Sequence, residues 1–177
     1  AMCEVLRTPY NPSSVHQRGR AARALLERSR RTIAEALHAA PGTLIFTASG
    51  TEANNMALKG AGDLPTLISA TEHASVRNSV PEAAATIPVN ASGLLDQEAL
   101  EAKLRALARP ALVSVMLANN ETGVIQPIEA IAALVHRYGG WLHCDAAQAL
   151  GKVEVDVEAL GVDMLSLSGH KLGAPVG

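Results

Sequence analysis

Apolar runs of strand length and amphipathic segments of helix length take turns along nearly the whole chain, and that alternation leaves few folds open. The pattern predicts a helix over Val15 to Ala39, an extended segment over Thr43 to Thr47 and a helix over Gly50 to Ala61. A strand over Thr66 to Ala70 and a short helix near Ser75 follow. A strand is then expected at Thr86 to Val89 and a helix at Asp96 to Ala108. The run Ala111 to Leu117 is apolar enough for a buried central strand. Pro127 suits a first helical turn, opening a helix to Tyr138, and Gly139 and Gly140 end it before strands at Trp141 to Asp145 and Met164 to Ser168. Strands separated by helices of this length imply parallel βαβ units, an α/β fold with a mostly parallel sheet and helices on both faces.

Composition narrows the class further. The chain has 177 residues, 48% of them hydrophobic and 18% charged, enough for one substantial core and one domain over residues 1–177. With 2% aromatic residues, packing rests on aliphatic side chains, and a base-stacking surface for nucleic acid is disfavoured. A net charge of -2, with arginines gathered between Arg18 and Arg31, gives no general basic field and reads as one solvated helix face. Cys3 and Cys144 form no CxxC pattern, which points to a reducing, cytoplasmic setting without a disulfide framework. No apolar run reaches the roughly 20 residues needed to span a bilayer, so no membrane partner is expected.

In parallel sheets ligands bind beyond the carboxyl ends of the strands, and the residues there carry chemistry. Ser168, Gly169, His170 and Lys171 follow the last strand, and a lysine among small residues can approach a carbonyl group closely enough to form a Schiff base. Gly50, Thr51 and Glu52 open a helix with small and hydroxyl residues, which suits a phosphate; an ordinary helix cap reads the same segment equally well. His73 stands after one strand, Asn119 and Asn120 after another, and Asp145 ends a third, with Gln148 three residues on. A buried carboxylate at Asp145 would call for a cationic partner. Together these offer a reactive amine, a phosphate cradle, a partner for a protonated ring nitrogen and donors for a ring oxygen, the set that pyridoxal phosphate requires. A metal site built from His73, His143, Asp145 and His170 has suitable ligand types but leaves Lys171 and Asn120 without a role, and its spacing matches no common zinc motif.

Six segments in one order carry a resemblance. They are Asn11 to His16; Gly50 to Asn55; Thr71, Glu72 and His73; Asn119 to Gly123; Asp145 to Gln148; and Ser168 to Lys171. From about Tyr10 to Gly177 the chain resembles the class V aminotransferase-like, fold-type I pyridoxal phosphate enzymes, and within them the cysteine desulfurases. The resemblance implies that Lys171 binds the cofactor aldehyde and later takes the substrate's α-proton, and that His73 stacks on the ring and assists proton transfer. It implies Asp145 at the pyridine nitrogen, Gln148 at the phenolic oxygen, and Asn120 beside the cofactor and substrate carboxylate. Thr51, Ser168 and His170 would hold the phosphate, with Gly50 and Glu52 in the same turn.

The implied reaction takes L-cysteine to L-alanine and leaves sulfur on an enzyme cysteine for an acceptor or iron-sulfur scaffold protein, in a homodimer. By comparison with the family the chain reads as an incomplete large domain, inactive alone, without the small C-terminal domain, the carboxylate-binding arginine and the sulfur-accepting cysteine. Cys144, inside a strand, reads as a buried small hydrophobe. Ala48 and Ser49 replace the family's usual Ser and Gly, and Val176 stands where lysine is common. A selenocysteine lyase or an aminotransferase would share this cofactor geometry. A non-catalytic remnant serving as an association surface is the reading from another class.

Overall fold

The computed structural model describes residues 5–7 and 10–175, so the readings made for Cys3, Val176 and Gly177 lie outside the described residues. The chain divides into two compact units, Ala1–Ile45 and Phe46–Gly177.

In the first unit, helix α1 spans Gln17–Ala36, with His16 as its N-cap accepting from the Gly19 N–H. It ends before Ala39 because His38 adopts a left-handed conformation (φ 52°), which an α-helix cannot continue. Its arginines lie on exposed or half-buried positions, as a solvated face requires. The segment expected to be extended over Thr43 to Thr47 joins no sheet. Pro41–Thr43 forms a 3₁₀ turn, closed by the Thr43 N–H and hydroxyl on the Ala40 carbonyl. Leu44 is extended, but no described strand pairs with the segment and Ile45 is 69% exposed. An apolar, β-branched run forms a strand only where a neighbour supplies the ladder.

The second unit is built on five parallel strands: β1 (Thr66–Ser69), β2 (Ala85–Ile87), β3 (Leu112–Met116), β4 (Trp141–Asp145) and β5 (Met164–Ser166). Their order is β2-β1-β3-β4-β5, so the chain reverses its direction of travel between β1 and β3, and β3 is central and buried throughout. The helices are α2 (Gly50–Gly60), α3 (Ala74–Arg77), α4 (Gln97–Leu107), α5 (Ile128–Arg137) and α6 (Val157–Leu160). Asp96 caps α4 through the Ala99 N–H, and Pro127 stands just before α5, where its missing N–H costs nothing.

Strand alternation sorts the two faces. Leu112 and Ile68 pack with Leu58 of α2 and Val76 of α3, whereas Ile131, Ala132 and Val135 of α5 are buried over the other face of β4. On the α2 face the sheet is unusually polar. Ser114 Oγ and Ser166 Oγ bond the two nitrogens of buried His143, each at 2.9 Å. This layer runs directly into the strand ends where the site lies.

Candidate active site

A cavity of about 230 Å³ opens beyond the carboxyl ends of β3, β4 and β5, against the N-terminus of α2. Of the residues expected there from sequence, Gly50, Thr51, His73, Asn120, Asp145, Gln148, Ser168, His170 and Lys171 all line it. Between 20 and 47 positions of chain separate neighbouring segments, and the parallel topology gathers those that follow a strand because every β-to-helix turn falls at the same sheet edge.

Glu52 is placed differently. Its Oε2 accepts the Ala48 N–H, one residue before the N-cap, while Ser49 Oγ accepts the Glu52 N–H at 3.1 Å, a variant of the capping box that engages both side chains at the start of α2. The ordinary-cap reading therefore describes Glu52, and the Gly50 and Thr51 end of the same helix faces the cavity. An ideal Cβ on Gly50 would sit 3.2 Å from Ser168 Cβ, so a larger residue would press on Ser168 and narrow this approach. Across it, Ser168 Oγ pairs with His170 Nδ1 at 2.8 Å.

Asp145 is 5% exposed, and its partners are neutral donors rather than a protein cation. Asn54 Nδ2 donates to Oδ2 at 2.8 Å and the Ala147 N–H donates to Oδ1 at 3.0 Å. The cationic partner expected from sequence does not come from the described residues, and the carboxylate lines the cavity with its charge available to a ligand cation. Asn54 also donates to Ser75 Oγ at 2.8 Å, which lies 2.7 Å from His73 Nδ1. Sequence reading missed both Asn54 and Ser75. The available signal was the spacing of Asn54 and Leu58, four residues apart on the inward stripe of α2, which puts a polar side chain where an apolar one belongs.

Asn119 and Asn120 part company. Asn119 Oδ1 accepts the Glu121 and Thr122 N–H groups and its Nδ2 donates to the Thr71 carbonyl, so it folds the loop, while Asn120 lines the cavity. Gln148 Oε1 accepts from Lys152 Nζ at 2.6 Å, which leaves the Gln148 amide NH₂ as its donor toward a ligand. Lys171 is exposed at the cavity and forms no ion pair with a described residue.

Three buried titratable groups lie behind the site. Glu72 has its carboxyl pushed up to about 8 by burial, against the Met116 N–H that favours its charged form, with the Asp145 charge raising it further. Burial holds His143 down to about 4. Both His143 nitrogens are taken by serines, so this ring belongs to the core and not to the metal constellation weighed from sequence; no group of three metal-ligating side chains occurs among the described residues. Cys144 is fully buried, and burial first, then the nearby Glu72 and Asp145 carboxylates, push its thiol well above the ordinary range.

The family model described as Aminotransferase class-V matches residues 4–177. Among curated relatives, a protein named cysteine desulfurase IscS from Ehrlichia chaffeensis is 37% identical over 190 residues, covering 100% of this chain and 46% of that protein. A NifS-like protein from Rickettsia africae superposes with a TM-score of 0.93 at 38% identity, over 99% of this chain and 51% of that one. A structure titled SspA in complex with cysteine gives a TM-score of 0.85 at 33% identity, over 97% and 52% of the two chains. The chain spans about half the length of the curated relatives it matches.

Proposed function

Since this chain belongs to the class-V aminotransferase family, we propose that residues 1–177 are part of the pyridoxal phosphate-binding large domain of a cysteine desulfurase. The observation that carries this reading is the convergence of Lys171, Asp145, His73 and the Ser168–His170 pair on one cavity at the strand ends. The relatives named cysteine desulfurase, at 37 to 41% identity, favour that branch of the family over the aminotransferase and selenocysteine lyase readings.

The residues present fit the cofactor. A buried carboxylate held only by neutral donors suits a protonated pyridine nitrogen. A helix N-terminus kept open by Gly50, facing the Ser168 and His170 pair, suits a phosphate. When bound, pyridoxal phosphate supplies an aldehyde for covalent attachment of amino groups and a cationic ring that accepts an electron pair from the substrate α-carbon. Lys171 would hold the aldehyde carbon and its Nζ would carry the α-proton. Asp145 would keep the ring nitrogen protonated, Gln148 would donate to the phenolic oxygen, and Thr51, Ser168 and His170 would hold the phosphate. Asn120 would orient the substrate carboxylate, and His73 would cover the ring.

In the whole protein the reaction would convert L-cysteine to L-alanine, with sulfur passed to an enzyme thiolate and on to an acceptor or iron-sulfur scaffold protein, in a cytoplasmic homodimer. Cys144 is not that thiolate, since it is buried and held protonated. No helix among the described residues is long and apolar enough to cross a membrane.

The test is to mix the purified chain with pyridoxal phosphate, reduce with borohydride and locate the added mass by peptide mass spectrometry. Label confined to Lys171 is expected. Label scattered over the lysines, or none, would overturn the reading.

A further inference from the structure

A row of four side chains links the strand-end carboxylate to the ring of His73, and the chemistry of its two ends dictates the direction of every bond in it. Asp145 Oδ2 can only accept, so the Asn54 group 2.8 Å away is the amide NH₂. The second hydrogen of that NH₂ goes to Ser75 Oγ at 2.8 Å. At the far end, His73 Nδ1 accepts the Ser75 backbone N–H at 3.1 Å and therefore carries a lone pair. The Ser75 hydroxyl, having accepted from Asn54, has one hydrogen left, and it points at the same Nδ1 from 2.7 Å. Asn54 and Ser75 are both buried, which strengthens these bonds. Asn54 Oδ1 is left without a partner, a cost that the reversed amide would escape only by facing Asp145 with an oxygen.

We propose that Asn54 and Ser75 are positioning residues that fix His73 as the neutral tautomer with its proton on Nε2, so that His73 serves the cavity as a donor and not as a base. With Nδ1 blocked by two donors, the ring has no lone pair to offer, and no described residue bonds its Nε2. With Asp145 assigned to the ring nitrogen and His170 to the phosphate, Lys171 is then the group in the cavity left to accept a proton from the substrate carbon. The catalytic meaning of this arrangement rests on reading the cavity as a pyridoxal phosphate site. The tautomer does not, because every bond that sets it lies within the protein.

The tautomer can be read in the cofactor-free chain from long-range ¹H–¹⁵N spectra of the imidazole rings. Wild type is expected to show His73 with unprotonated Nδ1 and protonated Nε2. Ser75→Ala should move the Nδ1 resonance toward that of an unbonded nitrogen, and Ser75→Thr, which keeps the hydroxyl, should restore it. Asn54→Ala should move the same resonance in the same direction although Asn54 does not touch the ring. A protonated Nδ1 in wild type, or a His73 spectrum indifferent to Ser75→Ala, would overturn the proposal. Ser75→Ala removes one buried oxygen only, so the test stands even where Asn54→Ala fails to fold. Borohydride capture answers separately: label scattered over the lysines with the tautomer confirmed would overturn the cofactor reading alone, and label confined to Lys171 with an indifferent His73 would overturn the relay alone.

Discussion

Glu72 Oε1 accepts the Met116 N–H at 2.6 Å, across 44 positions of sequence. This bond ties the turn that presents His73 to the end of the central strand, and it holds a carboxyl that burial keeps protonated up to about pH 8. The folded-state value is raised above that of the unfolded chain, so the folded state binds the extra proton between about 4.5 and 8. Stability from this group is therefore full below about 4.5 and is lost as pH rises through 8. Glu72→Gln keeps the acceptor and removes the charge. Its stability relative to wild type, from urea unfolding, should rise by about 1.4 kcal/mol per pH unit across that window. A difference that stays flat with pH would refute the assignment.

His143 imposes the opposite slope. Its folded-state value, near 4, lies below the ordinary 6.5, so the unfolded chain binds the extra proton between them. Stability from the neutral ring is present above 6.5 and is lost as pH falls through 4. His143→Leu leaves Ser114 and Ser166 without their shared partner and should cost about 2 kcal/mol at pH 8. That deficit should shrink on acidification, which is readable from urea midpoints at pH 4, 5, 6 and 8. Between 4.5 and 6.5 the Glu72 and His143 contributions oppose each other.

Much of this was legible from sequence because the strong signals are local. Trp141 to Asp145 lies between a glycine pair and a polar turn, and it forms a strand over those same five residues. The strand over Leu112–Met116 sits at the sheet centre that its apolar run predicts. Nine of the ten residues singled out line one cavity: seven end or follow a strand of the parallel sheet, and Gly50 and Thr51 open the helix packed against those strand ends. The misses are non-local. Nothing within Thr43 to Thr47 tells whether a neighbouring strand exists to pair with it, and nothing near Glu52 separates a phosphate turn from a capping box until the side chain is placed. Asn54, Ser75 and the Ser114–His143–Ser166 layer matter through partners 21 to 91 positions away, a separation that spacing rules do not reach.

Cys144 should be inert in the native chain. Its side chain is fully buried in β4 and its thiolate is disfavoured by burial and by neighbouring carboxylates. Iodoacetamide at pH 8, followed by peptide mass spectrometry to separate Cys144 from Cys3, should leave Cys144 unmodified until urea unfolds the chain. Rapid native labelling would contradict the burial.

The capping box at α2 carries a stability effect of its own. Ser49→Ala removes the acceptor for the Glu52 N–H and should lower unfolding free energy by about 1 kcal/mol. Glu52→Gln keeps an oxygen for the Ala48 N–H and should cost less. If Glu52 instead held the cofactor, Glu52→Gln would impair pyridoxal phosphate capture at Lys171 while leaving the urea midpoint in place, the reverse of the expected pattern.

Gly50→Ala separates binding from folding at the same helix start. Alanine is the better helix former, and the Gly50 backbone needs no positive φ, so stability should change by less than about 1 kcal/mol. The added Cβ, however, would lie 3.2 Å from Ser168 Cβ and 3.3 Å from Ser168 Oγ. Ser168 must shift to admit it, and that shift disturbs the 2.8 Å pairing of its hydroxyl with His170 Nδ1 and narrows the opening beside Thr51. Pyridoxal phosphate affinity, followed by absorbance titration of the chain, should therefore fall about tenfold, equivalent to about 1.4 kcal/mol. Inorganic phosphate should compete with the cofactor less effectively in the variant than in wild type. Unchanged affinity alongside unchanged stability would place the phosphate elsewhere than between the α2 N-terminus and Ser168.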